Sequence, residues 1–151
     1  MLQQRRDDED FEAIARQLRK RLGIDDQLRP DMITVIIKLK HLGMITNYVR
    51  VPDKEMPDDE AYYDSERKLL HVRESTFTAA NAMFTYSQPE RRRARYTIAH
   101  EVAHIALGHD GIRFRGGTNA LAEETVAKIR HQEREADRFA AAFLAPAHLA
   151  E

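Results

Sequence analysis

The feature that most constrains this chain is a pair of histidines in a largely apolar helical segment, RYTIAHEVAHIALGHD, residues 95–110. His100 and His104 are four residues apart, so on an α-helix their imidazoles project from the same face, one turn apart. That separation lets one nitrogen of each ring reach a single ion at about 2.0–2.1 Å. Glu101 is shifted around the helix, where it can contact a water without ligating the metal. The spacing therefore predicts a zinc site with two histidine ligands and Glu101 as the general base.

The composition limits what else can hold that ion and where the protein works. The chain of 151 residues has no cysteine, so the metal must be held by imidazole and carboxylate groups. A formal net charge of -1 argues against direct binding of nucleic acid. No run approaches the roughly 20 apolar residues that span a membrane, and the N-terminus lacks the apolar segment of a secretory signal. We expect a cytoplasmic protein that contacts neither membranes nor nucleic acid.

Hydrophobic periodicity predicts an α+β fold in a single domain, residues 1–151. Residues 1–43 contain two amphipathic helices, which end before Gly23 and Gly43. They are interpreted as a packing pair rather than a helix-turn-helix, because no polar recognition face with basic flanks is evident. Residues 44–151 contain the sheet and the zinc site.

The second part combines a small sheet with long helices. A strand over residues 44–51 precedes a hairpin formed by AYYD and KLLHVRE, which predicts a small antiparallel β-sheet. A helical pattern follows from Thr76 to about Phe84. The HEVAH helix is expected to begin at Ser87, where Glu90 completes a capping box, and to end near Gly108. A last helix is expected over residues 119–144, before a proline.

Two candidates for the third ligand lie just after the HEVAH helix. Asp110 is ten residues after His100, as in the metzincin pattern, but the glycine of that pattern is displaced by one residue to Gly108. His109 is nine residues after His100 and does not match the spacing. Both are interpreted as polar residues at a helix end.

The third candidate lies in RHQEREADRFAAAFLAP. Glu133 and Asp137 fall on one helical stripe with Ala140 and Leu144, whereas Glu135 lies off that stripe. A carboxylate on an apolar stripe is costly to bury without a partner, and a metal is such a partner. The alternative is an exposed helix face on which Glu133 and Asp137 lie beside Arg130 and Arg134, and it would be preferred for this segment alone. With HEVAH some thirty residues upstream, the sequence favours Glu133 as the third ligand. Asp137, one turn further on, is expected to accept the spare N–H of a ligand histidine.

RYTIAHEVAHIALGH followed by EREADRFAAAFLAP resembles the ImmA/IrrE-type metallopeptidases. Their pattern is R-[FY]-T-x-A-H-E-x-x-H followed by E-x-E-A-[ND]-x-F-A-A-x-[FL]-[LM]-x-P, and the similarity covers about residues 30–147, including the hairpin. It implies a zincin-like fold and a gluzincin-like site with one Zn²⁺ per chain, Glu133 as third ligand and Asp137 behind the ligands. Ala103 and Ala145 replace a frequent glycine and methionine. The chain stops at Glu151, where family members commonly continue, so we expect a trimmed or minimal version.

The resemblance implies a zinc-dependent endopeptidase that cleaves a helix-turn-helix repressor of the Xre type, in stress response or mobile-element control. A second oxyanion donor is usual in such a site, and the candidates are His71, Tyr62, Tyr63 and His131. The hairpin strand Lys68–Arg73 could offer an edge along which an extended substrate pairs. The alternative function is a non-catalytic zinc-binding module that binds a regulator or antitoxin partner without cleaving it. The glutamate of HEVAH favours the enzyme, because a binding module needs no carboxylate there.

Overall fold

The computed structural model describes residues 6–81, 87–109 and 123–149. The α+β class predicted from the sequence is confirmed in these residues. None of the described helices is both long enough and apolar enough to cross a bilayer. The elements in chain order are α1 (Asp8–Arg21), α2 (Met32–His41), β1 (Asn47–Val51), β2 (Ala61–Asp64), β3 (Leu69–Arg73), α3 (Glu74–Asn81), α4 (Gln88–Ala106) and α5 (Glu123–Leu144), with 3-10 turns at Asp53–Glu55 and Ala147–Leu149.

The sheet of the described residues is mixed, with strand order β1-β3-β2. β2 and β3 form the predicted hairpin, in which Tyr63 lies opposite Leu70. β1 instead pairs in parallel with β3, with Val49 opposite His71. The prediction of an antiparallel sheet was therefore wrong for β1. The alternation of apolar residues marks a strand but does not encode the direction of its neighbour, and here the chain crosses past β3 before it enters the hairpin.

The helix that carries HEVAH begins and ends where the sequence predicted. Ser87 is its N-cap, and the Ser87 hydroxyl accepts a hydrogen bond from the Glu90 N–H. Gly108 follows its C-terminal end with φ of +66°, a left-handed conformation that L side chains rarely adopt. The predicted continuation of α3 to Phe84 and the predicted start of α5 at Asn119 lie outside the described residues.

α4 lies at the centre of the molecule and packs against α5, α3 and β2. α4 and α5 run antiparallel, because Tyr96 contacts Asp137 whereas His104, further along α4, contacts Glu133. Burial of a phenylalanine side chain contributes about 1.5–3 kcal/mol to stability. The buried residues of α5 therefore fix the rotation of this helix about its own axis. The core stripe of α5 is fully buried and consists of Ala136, Phe139, Ala140 and Phe143.

A buried arginine joins α1 to the C-terminal end of α5. The guanidinium of Arg19 donates to the backbone carbonyls of Phe143 at 2.7 Å and Ile24 at 2.9 Å, and also to that of Gln27. The last carbonyls of a helix have no donor within the helix, so Arg19 satisfies one that would otherwise be buried without a partner. This contact holds α5, and therefore its carboxylates, in place.

Candidate metal centre

Three side chains from α4 and α5 bring their donor atoms to one point. The Nε2 atoms of His100 and His104 are 3.3 Å apart. The two carboxylate oxygens of Glu133 lie 2.8 Å from Nε2 of His100 and 3.1 Å from Nε2 of His104. In a tetrahedral site with bonds of about 2.0–2.1 Å, neighbouring ligand atoms are about 3.3–3.4 Å apart. The two imidazole nitrogens match this spacing and the Glu133 oxygens lie 0.2–0.6 Å closer, so a small outward movement of Glu133 would let the three side chains hold a zinc ion.

Glu101 lies beside this point on the same turn of α4. A carboxylate oxygen of Glu101 and a ring nitrogen of each histidine all lie within 4.8 Å of one another. The residue is only 2% exposed, yet its side chain borders the same cleft as His100 and Glu133. Glu101 can therefore reach a molecule in the cleft while the surrounding core holds its backbone rigidly.

The reasoning that pointed to Glu133 was wrong in one respect. Glu133 is not buried on an apolar stripe: its side chain is 50% exposed, and that of Asp137 is 56% exposed. The buried carboxylate is Glu135, at 7%. The core stripe of α5 runs through Phe139 rather than Leu144, and the residue one turn before Phe139 is Glu135. Glu133 thus approaches the histidines from the cleft and not from the core.

On the exposed side of the centre, Asp137 joins two residues of α4. One Asp137 oxygen lies 3.0 Å from Nδ1 of His100 and accepts a hydrogen bond of 2.7 Å from the Tyr96 hydroxyl. Burial of the phenol, together with the negative charge of Asp137, raises the pKa of Tyr96, so the hydroxyl stays protonated and donates. Tyr96 was not among the residues expected from the sequence, although it lies one turn before His100 on the same face.

On the buried side, His104 joins a chain of groups that the sequence did not predict. Nδ1 of His104 is 2.8 Å from Nδ1 of His109, and Nε2 of His109 is 2.9 Å from a carboxylate oxygen of Glu135. Arg6 forms an ion pair of 3.2 Å with the other oxygen of Glu135. His109 was expected to be a polar residue at a helix end, and Glu135 to lie off the functional stripe. The structure buries both.

The end of α4 explains why His109 returns to His104. The Gly108 N–H donates to the Ile105 carbonyl and the His109 N–H donates to the His104 carbonyl, which is the hydrogen-bond pattern of a Schellman motif. In that motif the residue after the glycine contacts the residue five positions earlier. The glycine at 108 was visible in the sequence, so this rule could have identified the contact between His104 and His109.

The charges of the centre are coupled in the metal-free chain. Hydrogen bonds from His100 and His104 hold the pKa of Glu133 well below its usual range. Burial alone would lower the pKa of His100, but the hydrogen bond and charge of Glu133, with the charges of Glu101 and Asp137, outweigh burial and raise it. Burial, reinforced by the neighbouring His104, lowers the pKa of His109 despite its contact with Glu135. Glu133 is therefore ionised and His109 is held in its neutral form.

Two clefts meet β2 on either side of the centre. One, of about 300 Å³, is lined by Ala61 of β2 together with Tyr96, His100 and Glu101. The other, of about 440 Å³, is lined by Tyr63 of β2 and by residues of the His104 turn and Gly108. Residues of β2 thus border both the cleft that contains His100 and the cleft that contains His104.

Of the four oxyanion-donor candidates, the structure brings Tyr63 to a cleft. Tyr62 and His71 lie opposite each other on β2 and β3 with their rings stacked at 4.2 Å. They occupy the sheet face opposite that of the buried Ala61 and Tyr63, so they point away from α4. His131 instead approaches Glu135 at 3.6 Å on α5. The alternative ligand Asp110 lies outside the described residues.

Comparison with known proteins gives one match. The model of the family described as Peptidase U49 matches residues 11–148, which include every helix and strand from α2 to α5. No curated protein and no solved structure matches the chain significantly. The match spans both histidines, Glu101 and the whole of α5, and it supports a peptidase. The chain belongs to the Peptidase U49 family.

Proposed function

We propose that this peptidase is a zinc-dependent endopeptidase whose metal is held by His100, His104 and Glu133. The observation that carries the proposal is the convergence of the two Nε2 atoms and the Glu133 carboxylate, with contacts of 2.8–3.3 Å. Three protein ligands leave a fourth tetrahedral position, which distinguishes a catalytic from a structural zinc site. The similarity of the two motifs to ImmA/IrrE-type metallopeptidases supports the same ligand set.

The chain's own groups divide the reaction between them. A bound zinc ion would supply Lewis-acid chemistry, which would lower the pKa of water toward neutrality. A carboxylate oxygen of Glu101 accepts the proton of the attacking water and then donates it to the nitrogen of the departing amine. Asp137 accepts the Nδ1–H of His100 and holds that ring in the tautomer whose Nε2 faces the metal position. Tyr63 borders the cleft beside His104, and its hydroxyl is the proposed donor to the developing oxyanion, since the Tyr96 hydroxyl already donates to Asp137.

The substrate is proposed to bind as an extended strand along β2. The sequence-based expectation that Lys68–Arg73 offers a free edge was wrong, because β3 is the central strand and pairs on both sides. Within the described part of the chain, β2 pairs on one side only, and its residues border both clefts. A main-chain ladder on β2 would place a peptide bond beside the histidines, whatever its sequence.

The substrate itself is proposed to be a helix-turn-helix repressor of the Xre type, cleaved to release genes of a stress response or mobile element. This identity rests on the resemblance to ImmA/IrrE-type proteins. Hydrogen bonding along β2 is independent of sequence, so selectivity for one repressor has to come from docking outside the cleft. A burst of general proteolysis is therefore not expected, and casein should be a poor substrate.

The test is to incubate the zinc-loaded protein with the regulator encoded beside it and to map the fragments by mass spectrometry, with and without a chelator. Glu101→Gln should keep its zinc, and its cleavage rate should fall about 10²–10⁴-fold, because an amide cannot accept the proton. Glu90→Gln, at the far end of the same helix, is the matched control and should cleave normally. Binding of the regulator without cleavage by the wild-type protein would favour the non-catalytic zinc module.

Metal analysis tests the ligand set separately. The wild-type protein should contain one zinc per chain, and Glu133→Ala should lose most of it because one of three ligands is removed. Glu124→Ala, an exposed glutamate in the first turn of α5, is the control. Retention of zinc by Glu133→Ala together with its loss from Asp110→Ala would replace this site with the metzincin-like arrangement.

A further inference from the structure

His109 and Glu135 are buried and capable of chemistry, yet the mechanism above does not use them. Their side chains are 5% and 10% exposed, and they connect the His104 ring to the interior through contacts of 2.8 and 2.9 Å. We propose that His109 and Glu135 are positioning residues for His104. Together they direct the Nε2 lone pair of the His104 ring at the metal position. The inference rests on the proposed function, because it requires His104 to be a metal ligand.

The hydrogen-bonding capacities of the three groups support one arrangement of protons. An ionised carboxylate only accepts, so His109 donates to Glu135 from Nε2. A neutral imidazole that carries its proton on Nε2 has a lone pair on Nδ1, which accepts the Nδ1–H of His104. In the zinc-loaded protein, a neutral His104 that donates from Nδ1 carries no proton on Nε2, the atom that lies 3.3 Å from Nε2 of His100. Acceptance by Glu135 thus fixes the tautomer of His109, and the tautomer of His109 fixes that of His104.

Arg6 fixes the starting point of this chain. Its guanidinium lies 3.2 Å from the Glu135 oxygen that does not contact His109. A guanidinium only donates, so that oxygen accepts from Arg6 and the other Glu135 oxygen is left to accept from His109. His109 must therefore present a donor to Glu135, and its acceptor is left for His104.

The same geometry argues against His109 as a ligand in its own right. Its Nδ1 contacts the side of the His104 ring that faces away from Glu133, and its Nε2 contacts Glu135. Both ring nitrogens are therefore engaged away from the metal position. His109 also sits where a Schellman motif commonly has an apolar contact, so a leucine there would preserve packing and remove only the hydrogen bonds.

This distinction defines the variants. His109→Leu keeps an apolar contact against α4, whereas the amide of His109→Gln can accept from His104 and donate to Glu135. His148→Gln is the matched control, because His148 is half-buried and hydrogen-bonds the backbone of Asp25, away from the metal centre. For each protein, Zn²⁺ affinity is measured by competition with a chromophoric chelator, and unfolding by urea is measured in the metal-free state. Long-range ¹H–¹⁵N spectra of the zinc-loaded protein report which ring nitrogens carry protons.

His109→Leu is expected to bind Zn²⁺ about 10–100-fold more weakly, as losses behind a ligand histidine usually do. His109→Gln should recover most of that affinity, and His148→Gln should match the wild type. In the zinc-loaded wild type, the protons should sit on Nδ1 of His104 and Nε2 of His109. A purely structural role for His109 would lower the urea midpoint without this pattern of rescue.

The outcomes separate the two proposals. If the wild-type protein takes up Zn²⁺ and folded His109→Leu binds it equally well, the positioning role is wrong and the proposed function stands. If the wild-type protein takes up no Zn²⁺, both are wrong. Should His109→Leu not fold, the wild-type spectrum decides, because a His109 protonated on Nδ1 in the zinc-loaded protein would overturn the proposed chain.

Discussion

The two histidines of α4 have the same geometry in the helix but opposite surroundings. The carboxylates beside His100, Glu133 and Asp137, are at least half exposed. The groups behind His104, His109 and Glu135, are at most one-tenth exposed. Water can replace a lost hydrogen bond on the first side but not on the second, so an equal chemical change has unequal costs. The difference indicates that changes on the cleft side should cost little unfolding free energy, whereas changes on the core side should destabilise the fold.

The largest expected effect comes from removing each histidine in turn. His100→Ala and His104→Ala should both lose zinc, because each removes one of three ligands. In the metal-free state they should differ: His104→Ala leaves the buried Nδ1 of His109 without its partner and is expected to cost about 1–3 kcal/mol of unfolding free energy. His100→Ala should cost less than about 1 kcal/mol, since its neighbours remain in contact with water. Urea denaturation in the presence of a chelator measures both, and equal losses would remove the distinction between the two sides.

The two carboxylates of α5 extend the comparison one step from the ligands. Glu135→Ala leaves the His109 N–H and the Arg6 guanidinium without their acceptor, and should destabilise the metal-free protein by about 1–3 kcal/mol. Asp137→Ala should change stability by no more than about 0.5 kcal/mol, because its side chain is exposed. The same variant should weaken zinc binding about 10–100-fold through the orientation of His100.

The pair of measurements provides its own control. Zinc affinity is expected to fall in both variants, through His104 in Glu135→Ala and through His100 in Asp137→Ala, whereas only Glu135→Ala should lose stability. A stability loss in Asp137→Ala as large as that in Glu135→Ala would show that exposure does not decide the cost.

These asymmetries could be predicted from the sequence only in part. The positions of His100, Glu101 and His104 follow from the periodicity of one helix, and the ends of α4 follow from Ser87 and Gly108, so local rules suffice. The direction of β1 and the rotation of α5 depend on contacts between elements that are distant in the sequence. For that reason the periodicity of α5 predicts an apolar stripe through Leu144 with Glu133 on it, whereas in the structure Glu133 is half exposed and Glu135 is the buried carboxylate.

The geometry at Gly108 gives a smaller effect that acts on the buried side alone. Gly108 has a φ of +66°, and a Cβ added there would meet nothing within 4 Å, so the cost of Gly108→Ala is backbone strain and not a clash. That strain is expected to be about 1 kcal/mol. Because the turn carries His109 back to His104, the variant should also weaken zinc binding by a few-fold.

Gly43→Ala is the matched control for this prediction. Gly43 has a φ of +73° after α2, and a Cβ added there would likewise meet nothing within 4 Å, but it lies away from the centre. Urea denaturation should show similar losses for both glycine variants, and chelator competition should show weaker zinc binding only for Gly108→Ala. Equal zinc affinities would mean that the turn does not control the placement of His109.

The smallest expected effect is that of Tyr96→Phe on the exposed side. The Tyr96 hydroxyl donates a 2.7 Å hydrogen bond to the Asp137 oxygen that also contacts His100, so it helps to hold that carboxylate against the ring. Asp137 is more than half exposed, and water can take the place of the hydroxyl. Zinc affinity should therefore fall by less than about 10-fold, below the loss expected for Asp137→Ala. The unfolding free energy should change by no more than about 0.5 kcal/mol.

The check is chelator competition on the two single variants, Tyr96→Phe and Asp137→Ala, and on the double variant. Tyr96→Phe should add nothing to the loss once Asp137 is absent. A loss in the double variant beyond that of Asp137→Ala would show that Tyr96 acts on the metal centre independently of Asp137.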